Sequence, residues 1–258
     1  MSLLNLTKLN DTYNLKVKGV AHFGAHTGEE VEEYKKLNYK PVHLFEPQKK
    51  LFKKLEESFS KDKNIFTYNV GLGRENTTSK LFLSPANEGA SASLLKPSGH
   101  LKYHPEIIFE DTENIEICLY DDFDLNNVNF LNIDIQGYEL EALKGSENSL
   151  KKYIDYICIE ISREEMYEDG VLKNQLDSYL KDFDLYKQGW ANGRYYWGKG
   201  DYSVPDIDDL KPKMKLTGCN WLHTVQPNWI DYNQEKTFDI SCMFGYPTKE
   251  PVYEHDVC

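Results

Sequence analysis

The stretch His22-Phe-Gly-Ala-His-Thr-Gly-Glu-Glu30 decides the fold. An apolar run, Val17 to Phe23, leads into it, and a helix-periodic segment, Glu29 to Leu37, leads out. Gly24 and Gly28 therefore mark a turn between a strand and a helix, where backbone can pass close to a ligand. In a dinucleotide-binding fold the same turn cradles a pyrophosphate, with the spacing G-x-G-x-x-G. Here the spacing is G-x-x-x-G, and Glu29 and Glu30 follow at once. Two carboxylates in a first helical turn suit the helix dipole but repel a pyrophosphate. A zwitterionic amino-acid moiety with a sulfonium centre suits that setting better. A turn of purely structural purpose is the competing reading.

Outward from this turn, short apolar runs alternate with helical patterns, which predicts an α/β fold, a mostly parallel sheet with helices on both faces. A second strand, Val42 to Phe45, ends on Glu46-Pro47, and Pro47 suits the opening of the next helix. A third strand is expected from Ile65 to Val70. The stretch Thr77 to Glu110, rich in Ser, Gly, Pro and His, reads as an irregular active-site loop region. Beyond it come a strand at Ile115 to Leu119, an acidic turn at Tyr120 to Asp124, and a buried strand at Phe130 to Ile135. A helix, Tyr138 to Leu150, a strand, Tyr156 to Ile161, and a helix, Val171 to Leu180, follow. An antiparallel pair around Phe183 to Tyr186 and Tyr195 to Trp197 closes the pattern. After Gly200 the periodicity is lost. Residues 1–200 are thus expected to form one domain, and 201–258 a linker and C-terminal extension, either a cap or the start of a second domain.

The 258 residues carry a formal net charge of −12, which repels phosphodiester backbones and anionic lipid surfaces. The lysines between Lys49 and Lys63 alternate with glutamates and read as a solvated helix face. Five cysteines, none in a C-x-x-C pair, argue against zinc and a disulfide framework and suit a reducing cytoplasm. No long apolar run predicts a membrane span, and the N-terminus lacks a basic segment followed by an apolar one. Nucleic acid and membrane are accordingly not expected as partners.

Two further carboxylates mark the ends of predicted strands. Glu46 stands where this architecture hydrogen-bonds the paired hydroxyls of a ribose, with helix capping as the alternative. Asp134 ends the buried strand in Asn129-Phe-Leu-Asn-Ile-Asp-Ile-Gln-Gly137, and Asn132 shares its face. An acid there is placed to take a proton from a substrate hydroxyl.

With these segments in order, the chain resembles the FkbM family of S-adenosylmethionine-dependent methyltransferases over roughly Val17 to Tyr196. The family pattern is D-x-G-A-N-x-G, F-E-P, N-V-A-L-G, S-x-S-L, K-x-D-x-E-G, E-x-x-x-L-x-G and a strand bearing I-E. This sequence has H-F-G-A-H-T-G, L-F-E-P (Leu44 to Pro47), N-V-G-L-G (Asn69 to Gly73), S-A-S-L (Ser91 to Leu94), N-I-D-I-Q-G, E-L-E-A-L-K-G and C-I-E-I-S (Cys158 to Ser162). His22 replaces the family's first acid, His26 its Asn, Asn132 its Lys and Gln136 its second acid. These changes resemble a branch in which H-x-G-A-H and D-I-Q-G occur together.

The resemblance implies a Rossmann-like class I methyltransferase with a seven-stranded sheet. It further implies that Gly24, Ala25, His26 and Gly28 line the methionine end of the cofactor and that Glu46 holds the ribose. Asn69, Val70 and Gly71 are then expected near the adenine, with Ser93 close by, and Asp134, Gln136 and Glu160 at strand ends facing the substrate. The acceptor it implies is a saccharide hydroxyl, on a glycan or a nucleotide sugar. Methyl transfer to such a hydroxyl needs positioning and a base. Asp134 is the first candidate and Glu160 the second. His104, with His100 in the same G-H-L-K-Y-H-P segment, is the third, because a loop histidine titrates near neutrality. Asp121, Asp122 and Asp134 could together hold a metal, but the acidic turn at Asp121 and Asp122 reads more simply as capping and solvation, so no metal is expected. Tyr167, Trp190, Tyr195, Tyr196 and Trp197 offer either flat faces for a pyranose or packing for the sheet edge. A nicotinamide oxidoreductase is disfavoured by the missing third glycine. A non-catalytic module serving a glycosyltransferase, as partner or fused domain, is the alternative from another class.

Overall fold

Strand β1 (Val20–Phe23) is buried at all four positions, as a central parallel strand covered on both faces must be. The computed structural model describes residues 6–7, 10, 15–109, 111–161, 165–191 and 194–199. After β1 come α1 (Val31–Lys36), β2 (Val42–Phe45), α2 (Lys49–Phe59), β3 (Ile65–Tyr68), β4 (Gly71–Leu72) and β5 (Thr77–Leu83). Then follow α3 (Gly99–Tyr103), β6 (Asp111–Cys118), β7 (Phe130–Ile133), α4 (Glu139–Lys144), α5 (Glu147–Lys152) and β8 (Tyr156–Glu160). The last described elements are α6 (Lys173–Lys181), β9 (Leu185–Ala191) and β10 (Arg194–Lys199).

The main sheet has seven strands in the order β3-β2-β1-β7-β8-β10-β9. The first five run parallel, and β10 is antiparallel to both of its neighbours. Alternation along β1 divides the core in two. Ala21 and Phe23 join a cluster that takes in Leu143, Leu150, Leu176 and Leu180 from α4, α5 and α6. Val20 faces the other way, into a cluster with Val31 and Tyr34 of α1 and Leu55 of α2. Each large apolar side chain so buried stabilises the fold by roughly 1.5–3 kcal/mol. The Rossmann-like α/β sheet with helices on both faces is therefore present as expected.

Three features differ from the sequence expectation. The stretch expected to be irregular contains β5, which pairs antiparallel with β6 in a second sheet of order β4-β6-β5. The helix expected over Tyr138 to Leu150 is two helices. The Asp121 carboxylate accepts hydrogen bonds from the backbone N–H groups of Asn148 and Ser149 (2.8 and 2.9 Å) and from Ser149 Oγ (2.6 Å), which caps α5 as a separate unit. The closing antiparallel pair is longer than expected, with a register shift between Tyr196 and Trp197. The extension at 201–258 and Ser162 lie outside the described residues.

Candidate active site

Because β1, β2, β7 and β8 run parallel, their carboxyl ends meet on one edge, and the strand order reverses between β1 and β7. A ligand site is expected at such a reversal. Phe23 pairs with Phe45 on one side and Ile133 on the other, so Gly24, Glu46 and Asp134 follow side by side. They line a cavity of about 330 Å³ together with Ala25, His26, Val70, Gly71 and Gln136.

The glycine turn is tightly held. Gly24 N and Ala25 N both donate to Phe45 O (3.0 Å each), and Asp134 N donates to Phe23 O (3.0 Å). At Gly24 φ is +79°, and a side chain would collide with the Asp134 carbonyl oxygen. Gly28, with φ +86°, is not in the cavity lining; it lets Phe59 and Leu55 of α2 pack against the turn.

Glu46 is 2% exposed. One carboxylate oxygen accepts from His26 N (2.9 Å) and the other from Gln48 N (2.8 Å). Burial nevertheless pushes its pKa up to about 7, the two backbone bonds opposing that rise. Asn69 is not a lining residue: its Nδ2 donates to Glu46 O (2.9 Å) and Pro47 O (3.0 Å), which anchors the end of β2.

Both ring nitrogens of His26 are engaged, Nδ1 with Glu29 Oε1 (2.6 Å) and Nε2 with Glu88 O (3.1 Å). The Glu29 hydrogen bond outweighs burial and lifts the His26 pKa to about 9. Burial alone would raise Glu29, but its bonds to His26 and Thr27 bring it down to about 2. Gln48 Nε2 adds a bond to Gly89 O (3.1 Å), so two side chains strap the segment 84–90 across the cavity.

Asp134 Oδ1 accepts from Gln136 Nε2 (2.8 Å). Gln136 Oε1 lies 2.9 Å from the Tyr167 hydroxyl, which is also 3.0 Å from Ser91 O. Ser93, fully buried and outside the lining, donates from Oγ to Gln136 O (2.7 Å). Asp134 is thus held by a chain of polar contacts reaching Tyr167. Glu160 ends β8 in an adjoining cleft of about 40 Å³, beside Gln136, Glu139 and Tyr167. Glu139 accepts from Gly137 N (2.9 Å), and its burial raises its pKa to about 7. His104 lines neither cavity and pairs with Glu106 at 3.5 Å.

Tyr167, Tyr196 and Trp197 are buried, which favours packing over flat faces for a pyranose, and of the three Tyr167 borders the smaller cleft. The side chains of Trp190, Tyr195 and His100 lie outside the described residues. Asp122 Oδ2 accepts from Asn76 Nδ2 (2.7 Å), and Asp121 caps α5, so the acidic turn serves the fold. Sequence reasoning passes over Gln48 and Gly89, whereas Glu29 and Glu30, which it places beside the glycine turn, both line the cavity. For Gly89 the signal is available, a glycine in a Ser- and Ala-rich loop, and its φ is +94°.

The model of the methyltransferase FkbM domain matches residues 22–185. No curated protein matches the chain. Among solved structures, a methyltransferase FkbM from Methylobacillus flagellatus KT is similar at 15% identity and TM-score 0.47, over 70% of this chain and 43% of that one. The chain thus spans less than half of that protein's length. A SAM-dependent methyltransferase from Aquifex aeolicus is similar at 16% identity and TM-score 0.41, over 76% of this chain and 89% of that one. The magnesium protoporphyrin IX methyltransferase of Synechocystis PCC 6803, solved with bound SAM, is similar at 8% identity and TM-score 0.43, over 76% of each chain. Among the described residues, no helix is long and apolar enough to cross a membrane.

Proposed function

The chain belongs to the FkbM methyltransferase family by its match over residues 22–185, and from that premise we propose that it is an S-adenosylmethionine-dependent O-methyltransferase acting on a sugar hydroxyl of a glycan or nucleotide sugar. The observation that carries the cofactor half is Glu46. A carboxylate 2% exposed, set at a strand end beside the Gly24 turn and bordering a cavity of about 330 Å³, fits the paired hydroxyls of a ribose. Each of its oxygens accepts one backbone N–H, and a carboxylate oxygen has further acceptor capacity for a hydroxyl.

Bound in this cavity, the cofactor supplies a methyl group on a sulfonium centre. Gly24, Ala25 and His26 line the methionine side of the site, and Val70 and Gly71 the adenine side. Gly28, Asn69 and Ser93 act from behind the lining, by fixing the turn, the end of β2 and the Gln136 carbonyl. Gln136 orients the Asp134 carboxylate, which receives the acceptor hydroxyl's proton. Glu160, in the cleft beside Gln136, is the second carboxylate available to the acceptor. His104 is the remaining candidate, and its place outside both cavities disfavours it. A reducing cytoplasm suits Cys118 and Cys158, neither of which is in a disulfide.

The test is incubation with methyl-labelled S-adenosylmethionine and a panel of nucleotide sugars and glycans, scored by mass spectrometry. A methyl mass gain on one acceptor, lost on acid-stable blocking of its free hydroxyls, is expected. Transfer to nitrogen or carbon alone, or no binding of S-adenosylhomocysteine in calorimetry, overturns the reading.

A further inference from the structure

Four carboxylates surround the Gly24 turn, and three already hold hydrogen bonds from the protein. Glu46 accepts from two backbone N–H groups, Glu29 is bound to His26 and Thr27, and Asp134 accepts from Gln136. Glu30 is the exception. Its side chain is only 7% exposed, it makes no capping hydrogen bond at the start of α1, and His22 Nδ1 lies 3.9 Å from its carboxylate. That imidazole faces other partners, Tyr34 Oη (3.2 Å) at Nδ1 and Asn132 Nδ2 (3.3 Å) at Nε2. A carboxylate taken out of water without donors is costly, so a buried one is normally satisfied. Glu30 and His22 both line the large cavity, which is the side from which a donor can reach Glu30.

We propose that Glu30 recognises the α-ammonium group of the cofactor's amino-acid end and makes the site selective for adenosyl compounds that carry it. An ammonium brings three N–H donors, which a sulfonium lacks, and donors are what Glu30 is short of. The resulting bond is charge-assisted. The position also accounts for His22, which stands where the family pattern has an acid: the negative charge is delivered from position 30 to within 3.9 Å of that histidine. The inference rests on the cofactor reading above.

The test is calorimetry on the full chain with S-adenosylmethionine, S-adenosylhomocysteine and 5′-methylthioadenosine, the last lacking the amino-acid end. Glu30→Gln is expected to weaken the first two about 10- to 100-fold and to leave methylthioadenosine unchanged, while Glu30→Asp recovers part of the loss. Glu46→Gln, as the control, weakens all three. A Glu30→Gln loss confined to S-adenosylmethionine assigns the carboxylate to the sulfonium and overturns the proposal. Equal loss for all three ligands, or for none, also overturns it. A wild-type chain that binds none of them overturns the cofactor reading and this inference with it.

Discussion

Glu46→Gln removes a charge from a side chain that is 2% exposed and whose pKa burial has lifted from 4.5 to about 7. Between those values the folded protein keeps a proton that the unfolded chain has lost. The contribution of this group to stability is therefore fully present below about pH 4.5 and falls as pH rises through about 7. At ~1.4 kcal/mol per pH decade, holding the carboxylate ionised above pH 7 costs the fold about 3 kcal/mol. Glutamine has no such cost, but it has one acceptor oxygen where the carboxyl group, protonated or ionised, has two oxygens able to accept. Its NH₂ must then face His26 N–H or Gln48 N–H, a loss of roughly 1–3 kcal/mol at every pH. The variant should thus be less stable than wild type at pH 5, and the difference should shift in its favour by about 2–3 kcal/mol by pH 8. Urea unfolding at both pH values measures this. Binding supplies the second readout. Ribose hydroxyls prefer the ionised carboxylate, so wild-type affinity for S-adenosylhomocysteine should improve as pH rises through 7, while the variant stays flat and at least about tenfold weaker. Parallel stability profiles would refute the buried titration, and equal affinities would refute the ribose assignment.

Gly24→Ala places a side chain against the Asp134 carbonyl oxygen at a φ of +79°, and should lower stability by on the order of 3 kcal/mol, read by thermal unfolding. Asp134→Asn keeps an oxygen for Gln136 Nε2, so S-adenosylhomocysteine affinity should change little while turnover falls about 10²- to 10⁴-fold. His26→Ala breaks the bond to Glu29, whose side chain is 40% exposed, so screening limits the loss to about 1 kcal/mol. The His26 contribution is full below about pH 6.5 and lost as pH rises through about 9; that of Glu29 is present above about pH 4.5 and lost as pH falls through about 2. Wild type and variant should therefore differ near pH 6 and converge near pH 10, and a gap that persists at pH 10 would refute the ion pair.

What the sequence reveals here depends on how local the causes are. Val42 to Phe45 is bounded alike in sequence and structure because its apolar run lies between turn residues. Strand β5 is invisible to periodicity, since Thr77, Thr78 and Lys80 are exposed and its order comes from pairing with β6, whose partner residues lie 28 to 40 positions further along the chain. The single helix read from Leu140, Leu143 and Leu150 is divided by Asp121, a residue outside that window. The site divides in the same way. Glu46 and Asp134 are legible because an acid at a parallel strand end is placed by the strand itself. The straps from His26 and Gln48 to the carbonyls of Glu88 and Gly89 require two distant segments to meet, so no local pattern reports them. Glu30 lies between these cases. The sequence shows two acids opening α1, but only packing tells them apart: Glu29 turns outward to His26 and Thr27, while Glu30 is carried under the turn beside His22. Charge near the cofactor can therefore be inferred from the motif, whereas which carboxylate is left for a ligand follows from the donors the fold has already assigned to the others.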